Sequence, residues 1–240
     1  MEHWTSRTEL LIGPEKLKML RESHVLVAGL GGVGAYAAEN LCRAGIGRMT
    51  IVDGDAVMPS NRNRQLLALK STEGKRKADL MAERLLDINP ELELRIVDDY
   101  LKQEKVEAIC AGDYDYVVDA IDTLSHKVFF IKECMRLGLN LVSSMGAGGK
   151  INPELIQIAD IADSHNCRLA FYIRKRLQKF GIRSGFKVVF SPEPLIEGSM
   201  VKIENEEGKK SIVGTISYMP AMFGCMMSSV VIRDLLNANS

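Results

Sequence analysis

The chain has 240 residues, 46% of them hydrophobic, enough to bury a sizeable core in one large domain or in a domain with an extension. Lysine plus arginine equals aspartate plus glutamate, 31 each, so no global field draws it to nucleic acid or to an anionic membrane; any such contact needs a local patch. The five cysteines form no CxxC pair and the four histidines no metal-ligand spacing, which speaks against a disulfide framework and against a Cys- or His-based zinc site. The opening MEHWTSRTELLIG lacks the pattern of a secretory signal. The longest apolar-rich run, Ile216 to Ile232, is short for a membrane span and is interrupted by Pro220 and Gly224. A cytoplasmic protein without membrane contact is expected.

Taken in order, VLVA from Val25 predicts a strand. A glycine loop and a helix from about Gly34 to Ala44 follow, then MTIVD ending at Asp53, which completes a βαβ unit. Ala78, Met81, Leu85 and Ile88 recur at helical spacing, predicting a helix near Gly74 to Ile88 that Asn89-Pro90 stops. Further strands are predicted at Leu92–Val97, Tyr116–Ala120 and Leu139–Ser143. Strands alternating with helices imply an α/β fold, a doubly wound, Rossmann-like and mostly parallel sheet with its site at the carboxyl ends of the strands. After Gly146 the character changes. Residues 1–150 are expected to form the nucleotide-binding part with an N-terminal arm, and 151–240 a C-terminal extension for substrate binding and dimerisation, continuous with the same domain. A strand near Ser211–Tyr218 and a helix from Pro220 to Leu236 close the chain.

The loop Gly29-Leu30-Gly31-Gly32-Val33-Gly34 follows a predicted strand and opens a predicted helix. Its missing side chains let backbone amides approach phosphate at a helix N-terminus. Asp53, ending the next strand, is placed to accept hydrogen bonds from ribose hydroxyls. These two features suit any adenosine cofactor. The next stretch discriminates: Asp53-Gly54-Asp55 is followed by Ser60-Asn61-Arg62-Asn63-Arg64-Gln65, with Lys77 on the next helix. Two guanidiniums and an ammonium suit the charge of a triphosphate, which a nicotinamide dinucleotide does not carry. For Arg62 a solvated helix face is the alternative, and Lys75 and Arg76 are neighbours without an assigned role. Asp119 and Asp122 lie where the fourth strand leaves the sheet. Asp122, beside Thr123, is the better candidate for magnesium and Asp119 for structure, although both could instead cap a helix starting at Ser125.

In this order GLGGVG, DGDAVMPSNRNRQ, Lys77 and DAIDT resemble the adenylation domain of ubiquitin-activating-type enzymes, the superfamily that includes the ThiF, MoeB and HesA types. The resemblance implies ATP and Mg2+. It makes Asp53 a ribose ligand, Ser60 to Arg64 and Lys77 the phosphate-binding set, and Asp122 the magnesium ligand. It further implies a homodimer in which an N-terminal arginine, here Arg7, reaches the other subunit's site. The catalytic candidates are then Arg7, Arg64, Lys77 and Asp122, and the nucleotide site comprises Gly29, Gly31, Gly32, Gly34, Asp53, Asp55, Ser60, Asn61, Arg64, Gln65, Lys77, Asp122 and Thr123.

The C-terminal portion selects a branch. MGAGGKINPELIQIADIADS, FYIRKRLQKFGI, KVVFSPEPL and GTISYMPAMFGCMMSSVVIRDLL are similar to the tRNA threonylcarbamoyladenosine dehydratases along nearly their full length. That resemblance implies ATP-dependent adenylation of the threonyl carboxylate at position 37 of tRNA, followed by ring closure with net loss of water. No enzyme cysteine is needed. Cys167 lies where thioester-forming relatives place a nucleophile, but nothing around it marks it as activated. Some members carry a monovalent cation, Na+ or K+, for which this sequence shows no ligand signature. Arg168, Arg174, Lys175, Arg176, Lys179, Arg183 and Lys187 form a basic patch suited to tRNA phosphates, with Phe171, Tyr172 and Phe180 expected in the core. A sulfur-transfer protein is a further candidate partner. The competing functions are adenylation of the C-terminal carboxylate of a small ubiquitin-like or sulfur-carrier protein and, behind it, a nicotinamide-dependent oxidoreductase.

Overall fold

A computed structural model describes residues 3–101, 103–202 and 211–237. Helices α1 (Ser6–Ile12) and α2 (Pro14–Glu22) precede β1 (His24–Ala28), α3 (Gly34–Ala44), β2 (Arg48–Val52), α4 (Lys77–Ile88), β3 (Glu93–Val97) and α5 (Gln103–Cys110). Then come β4 (Tyr116–Asp119), α6 (Leu124–Arg136), β5 (Leu141–Ser144), β6 (Gln157–Asp160), α7 (Arg168–Leu177), β7 (Lys187–Phe190), the pair β8 (Met200–Lys202) and β9 (Ser211–Val213), and α8 (Tyr218–Asn237).

Seven strands form one sheet in the order β3-β2-β1-β4-β5-β7-β6, all parallel except β6, which runs antiparallel to β7. The chain winds outward from β1 through β2 to β3, then crosses to β4 on the other side of β1. That reversal opens a crevice between the carboxyl ends of β1 and β4, the usual ligand position in such sheets. The period of two in β1 separates the two cores. Val25 and Val27 join the layer with α2, α3, α4 and α8, whereas Leu26 and Ala28 join the layer with α5, α6 and α7. The C-terminal ninety residues thus supply β6 and β7 to the same sheet and α8 to the same core. By length and composition α8 is apolar enough to cross a membrane, yet Met219, Phe223, Met227, Val230 and Val231 are packed inside the core.

The larger boundary shifts from the sequence expectation have local reasons. The helix expected from Gly74 begins at Lys77, because residues 74–76 are pinned to the preceding crossover: Gly74 N donates to Val57 O (2.9 Å), Val57 N donates to Lys75 O (2.9 Å), and Ala56 bridges Arg76. Leu139 lies in the turn that closes α6 rather than in β5, donating to Cys134 O (3.0 Å) after Gly138 at φ +69°. The last strand stops at Val213, where Gly214 N turns back to Ser199 O (2.7 Å), and α8 begins at Tyr218 with Pro220 in its first turn.

Candidate active site

The glycine loop is shaped by contacts that forbid side chains. Gly29 has φ +90°, and a Cβ there would stand 2.7 Å from Ala120 O; one at Gly34 would meet Gly29 O at 1.8 Å. These two positions let the turn after β1 fold tightly against the end of β4. A Cβ on Gly31 would have Gln65 Nε2 at 3.8 Å as its nearest neighbour, and one on Gly32 would stand 3.0 Å from Pro220 Cβ of α8. No side chain caps the start of α3, which leaves a helix N-terminus of the kind that can receive an anion. Gln65 Oε1 is buried beside this loop with no hydrogen-bond partner among the described residues, an acceptor placed to take a donor from a bound nucleotide.

Asp53 closes one wall. Its Oδ2 accepts from Leu30 N (2.6 Å) and its Oδ1 from Asp55 N (2.8 Å), so the carboxylate locks the glycine loop to the end of β2 and keeps its remaining lone pairs for a ligand. Burial pushes its carboxyl above the usual aspartate range, against the pull of Lys77 and the two amides. Lys77 opens α4 with its side chain only 5% exposed and its Nζ 2.9 Å from Asp55 Oδ2. A buried ammonium held by one carboxylate is a point charge ready for phosphate.

The arginines divide. Arg64 Nη1 donates to Ser60 O (2.9 Å) and Asn63 Oδ1 (2.8 Å), folding over its own turn at the rim. Arg62 pairs with Glu73 at 3.2 Å, which suits the surface alternative. Arg76 grips Asp98 and donates to Gly54 O (2.7 Å), fixing the strand end that carries Asp53 and Asp55. Asn61 is committed within its 3-10 turn, its Oδ1 accepting from Met58 N (3.1 Å).

Opposite, Asp119 is fully buried and does not cap α6; it pairs with the equally buried Lys127, Nζ to Oδ2 2.8 Å. Lys127 also donates to the carbonyls of Asp119 (3.3 Å) and Ile121 (3.1 Å), and Ser143 Oγ donates to Asp119 Oδ2 (2.6 Å). This cluster fixes the crossover that presents exposed Asp122, whose Oδ1 accepts from Thr123 Oγ1 (3.2 Å). Sequence reasoning missed Lys127, since a lysine within an amphipathic helix reads as surface.

A second overlooked lysine ties the loop after β5 to the segment after β7. Buried Lys150 donates to Ser191 O (2.8 Å) and Glu193 O (2.5 Å), while the Glu193 carboxylate accepts from Ile151 N (3.0 Å) and Asn152 N (3.0 Å). Asn63 Nδ2 donates to Thr215 O (2.8 Å), joining the turn after β2 to the segment before α8. Other expected residues are not gathered here. Exposed Arg7 follows Thr5, which is buried against Arg21 and Gly45 at the amino end of the sheet, away from the glycine loop. A cavity of about 520 Å³ at that same end, lined by Trp4, Arg21 and Arg48, is likewise remote. Cys167 is buried. Within the basic patch, Arg174 is tied to Ser164 O (2.6 Å) and Lys187 to Asp234 (2.6 Å), leaving Arg168, Lys175, Arg176, Lys179 and Arg183 exposed. Phe171, Tyr172 and Phe180 are not core residues; all three are exposed.

The glycine loop at the switch point, the strand-end Asp53 and the buried Lys77 lie together at one crevice, and the ThiF family pattern matches residues 5–240. The chain belongs to the ThiF family, in its tRNA threonylcarbamoyladenosine dehydratase branch. A tRNA threonylcarbamoyladenosine dehydratase of Bacillus subtilis is 42% identical, the alignment covering 98% of this chain and 96% of that one. The crystal structure of Escherichia coli tRNA N6-threonylcarbamoyladenosine dehydratase, TcdA, in complex with ATP superposes with a TM-score of 0.89 at 35% identity, covering 98% of this chain and 94% of that one. An adenylyltransferase and sulfurtransferase MOCS3 from Drosophila yakuba is 36% identical over only 57% of this chain and 29% of its own length.

Proposed function

We propose that this protein binds ATP in the β1–β4 crevice and uses it to adenylate the threonyl carboxylate of threonylcarbamoyladenosine at position 37 of tRNA. The carboxylate oxygen attacks the α-phosphorus and pyrophosphate leaves. A nucleophile of the carbamoyl group then attacks the acyl carbon, its proton is lost and AMP departs with the former carboxylate oxygen. The net change in the nucleoside is loss of one water. The observation that carries this reading is Lys77, buried at the start of α4 on the Asp55 carboxylate and acting on Asp53, which holds the glycine loop that leads into the uncapped α3.

In this scheme amides of Gly31 to Gly34 receive phosphate, Asp53 and Gln65 receive the nucleoside, and Asp55, Ser60 and Asn61 shape the loop that offers Arg64 and Lys77 to the α-phosphate. Such donors, fixed before reaction, are the largest electrostatic contribution to a step of this kind. Magnesium, held through Asp122 beside Thr123, would neutralise the departing pyrophosphate. A homodimer completes the site with Arg7 of the partner subunit. Leu10 and Leu11 on the same short helix are 89% and 84% exposed, an apolar pair that a second subunit would cover. Arg168, Lys175, Arg176, Lys179 and Arg183 offer charge to tRNA phosphates, whereas Arg174 and Lys187 already hold protein partners.

The test is incubation with ATP, magnesium and tRNA bearing threonylcarbamoyladenosine, read by nucleoside mass spectrometry. A product lighter by one water, formed with AMP and lost in Lys77→Ala, supports the reading. No such product, with pyrophosphate exchange that depends on a small carrier protein instead, moves the chain to the sulfur-carrier activity and leaves the ATP site standing.

A further inference from the structure

Helix α7 buries Ala170, Ile173 and Leu177 and turns the rest of its surface outward. Along the outer face cations and aromatics interleave at helical spacing: Arg168, then Phe171 and Tyr172, then Lys175 and Arg176, with Lys179 just beyond. Phe171 and Tyr172 are 53% and 39% exposed. Their rings meet edge to face, centroids 5.4 Å apart at 73°, and the Arg168 guanidinium lies 5.8 Å from the Tyr172 centroid. Two large rings left in water on a helix with a complete buried stripe are not required by the fold.

Charge says what they face. No aspartate or glutamate occurs from Arg168 to Pro192, in a chain whose acidic and basic residues balance overall. Among the described residues Arg168, Lys175, Arg176 and Lys179 form no ion pair. Position ties the face to the active site. A Cβ on Gly146, in the loop that leaves β5, would lie 3.8 Å from Leu169 Cβ, so the first turn of α7 stands at the carboxyl rim of the sheet. The strand beside β5 there is β4, which delivers Asp122.

We propose that Phe171 and Tyr172 form a stacking platform for an unpaired nucleobase of the RNA substrate, flanking the reactive nucleoside, while the surrounding cations follow the phosphates. The inference rests on the tRNA reading above. A cationic face alone would bind duplex and single strand alike; exposed rings between the cations add a term that only unpaired bases collect. The platform holds the loop of the RNA open at the rim and so sets which nucleoside reaches the acyl-transfer site.

The experiment compares two RNAs against the full-length protein: an anticodon stem-loop with 2-aminopurine next to the reactive position, and a blunt duplex of equal length. The wild type should bind the stem-loop more tightly and change the 2-aminopurine emission. Phe171→Ala/Tyr172→Ala should weaken the stem-loop by about tenfold or more, abolish the emission change and leave duplex binding nearly intact. Its salt dependence should stay that of the wild type, because the phosphate contacts remain, whereas Lys175→Ala/Lys179→Ala should flatten it. Phe171→Trp/Tyr172→Trp should restore stem-loop binding, and ATP affinity and thermal midpoint should hold in every variant. Equal stem-loop affinity and emission in the double alanine variant overturn the platform while the tRNA reading stands. A wild type that binds neither RNA overturns the tRNA reading, and the platform with it.

Discussion

Lys127 Nζ lies 2.8 Å from Asp119 Oδ2, with both side chains wholly removed from solvent directly beneath the crossover that ends in Asp122. Burial pushes the Lys127 ammonium below the usual lysine range, and the Asp119 carboxylate opposes that shift. Breaking such a pair strands a charge without compensation. Lys127→Met should therefore cost about 3–5 kcal/mol of stability, lowering the thermal midpoint by roughly 10 °C in a chain of this size. Asp119→Leu/Lys127→Met should recover part of that loss, since no charge is then left unpaired. Differential scanning calorimetry decides it, and a single variant as stable as the wild type would mean that the pair carries no weight.

Asp53 should give the proposed nucleotide site a pH dependence. Because burial raises its pKa, the carboxylate protonates at a higher pH than an ordinary aspartate, and the protonated form no longer accepts from both Leu30 N and Asp55 N. ATP affinity should fall on acidification above the usual aspartate range of about 3.9. The effect on stability has the opposite sign. The folded state holds this proton more tightly than the unfolded chain, so the contribution of Asp53 to stability rises as the pH drops through the raised value. Affinity should be lost while circular dichroism is unchanged, and Asp53→Asn should abolish this limb of the titration. An affinity that falls only together with the fold would refute the assignment.

Gly224 is where α8 crosses α3. A Cβ there would meet Val33 O at 2.5 Å and Tyr36 Cβ at 2.8 Å, and the first of these is backbone that cannot swing aside. Alanine is the better helix former by about 1 kcal/mol, but the overlap costs about 1–3 kcal/mol and falls on the first turn of α3. Gly224→Ala should thus lower ATP affinity severalfold even where its thermal midpoint falls by only a few degrees. Calorimetric titration with ATP measures this, and wild-type affinity would show that α3 accommodates the methyl without moving its glycine loop.

What was legible in the sequence follows from how local each feature is. Gly29, Gly34 and Asp53 sit at fixed offsets from strand ends, so a βαβ reading locates them before any contact is seen, whereas Lys77 stands out through the cationic stretch before it and the family resemblance. The partners of neighbouring residues come from distant chain: Pro220 beside Gly32, Asp98 on Arg76, Thr215 on Asn63. No spacing rule reaches those. Lys127 and Lys150 were illegible because residue type alone assigns lysine to the surface, and only tertiary structure surrounds their ammonium groups with carbonyls. Phe171 and Tyr172 show the converse error, hydrophobic type taken as burial. The buried stripe of α7 runs through Ala170, Ile173 and Leu177, and the two rings fall outside it.

The cysteines separate direct cyclisation from any route through an enzyme thioester. Of the five, Cys42, Cys110, Cys134 and Cys167 are buried and only Cys225 is exposed. Burial pushes the Cys42 thiol up to about 11, and the Cys110 sulfur together with burial raises that of Cys134. Since the thiolate is the reactive form, these sulfurs are doubly protected. Titration of the native protein with an aromatic disulfide reagent should release one equivalent quickly, with the remainder appearing only on denaturation. Cys225→Ser should remove the fast equivalent and leave turnover intact, because Cys225 lies on α8 with Asn40 Nδ2 at 3.4 Å rather than in the crevice. If Cys167→Ser instead abolished turnover while ATP–pyrophosphate exchange continued, an acyl-enzyme would have to follow the adenylate, and the carbamoyl group would no longer be the nucleophile that displaces AMP.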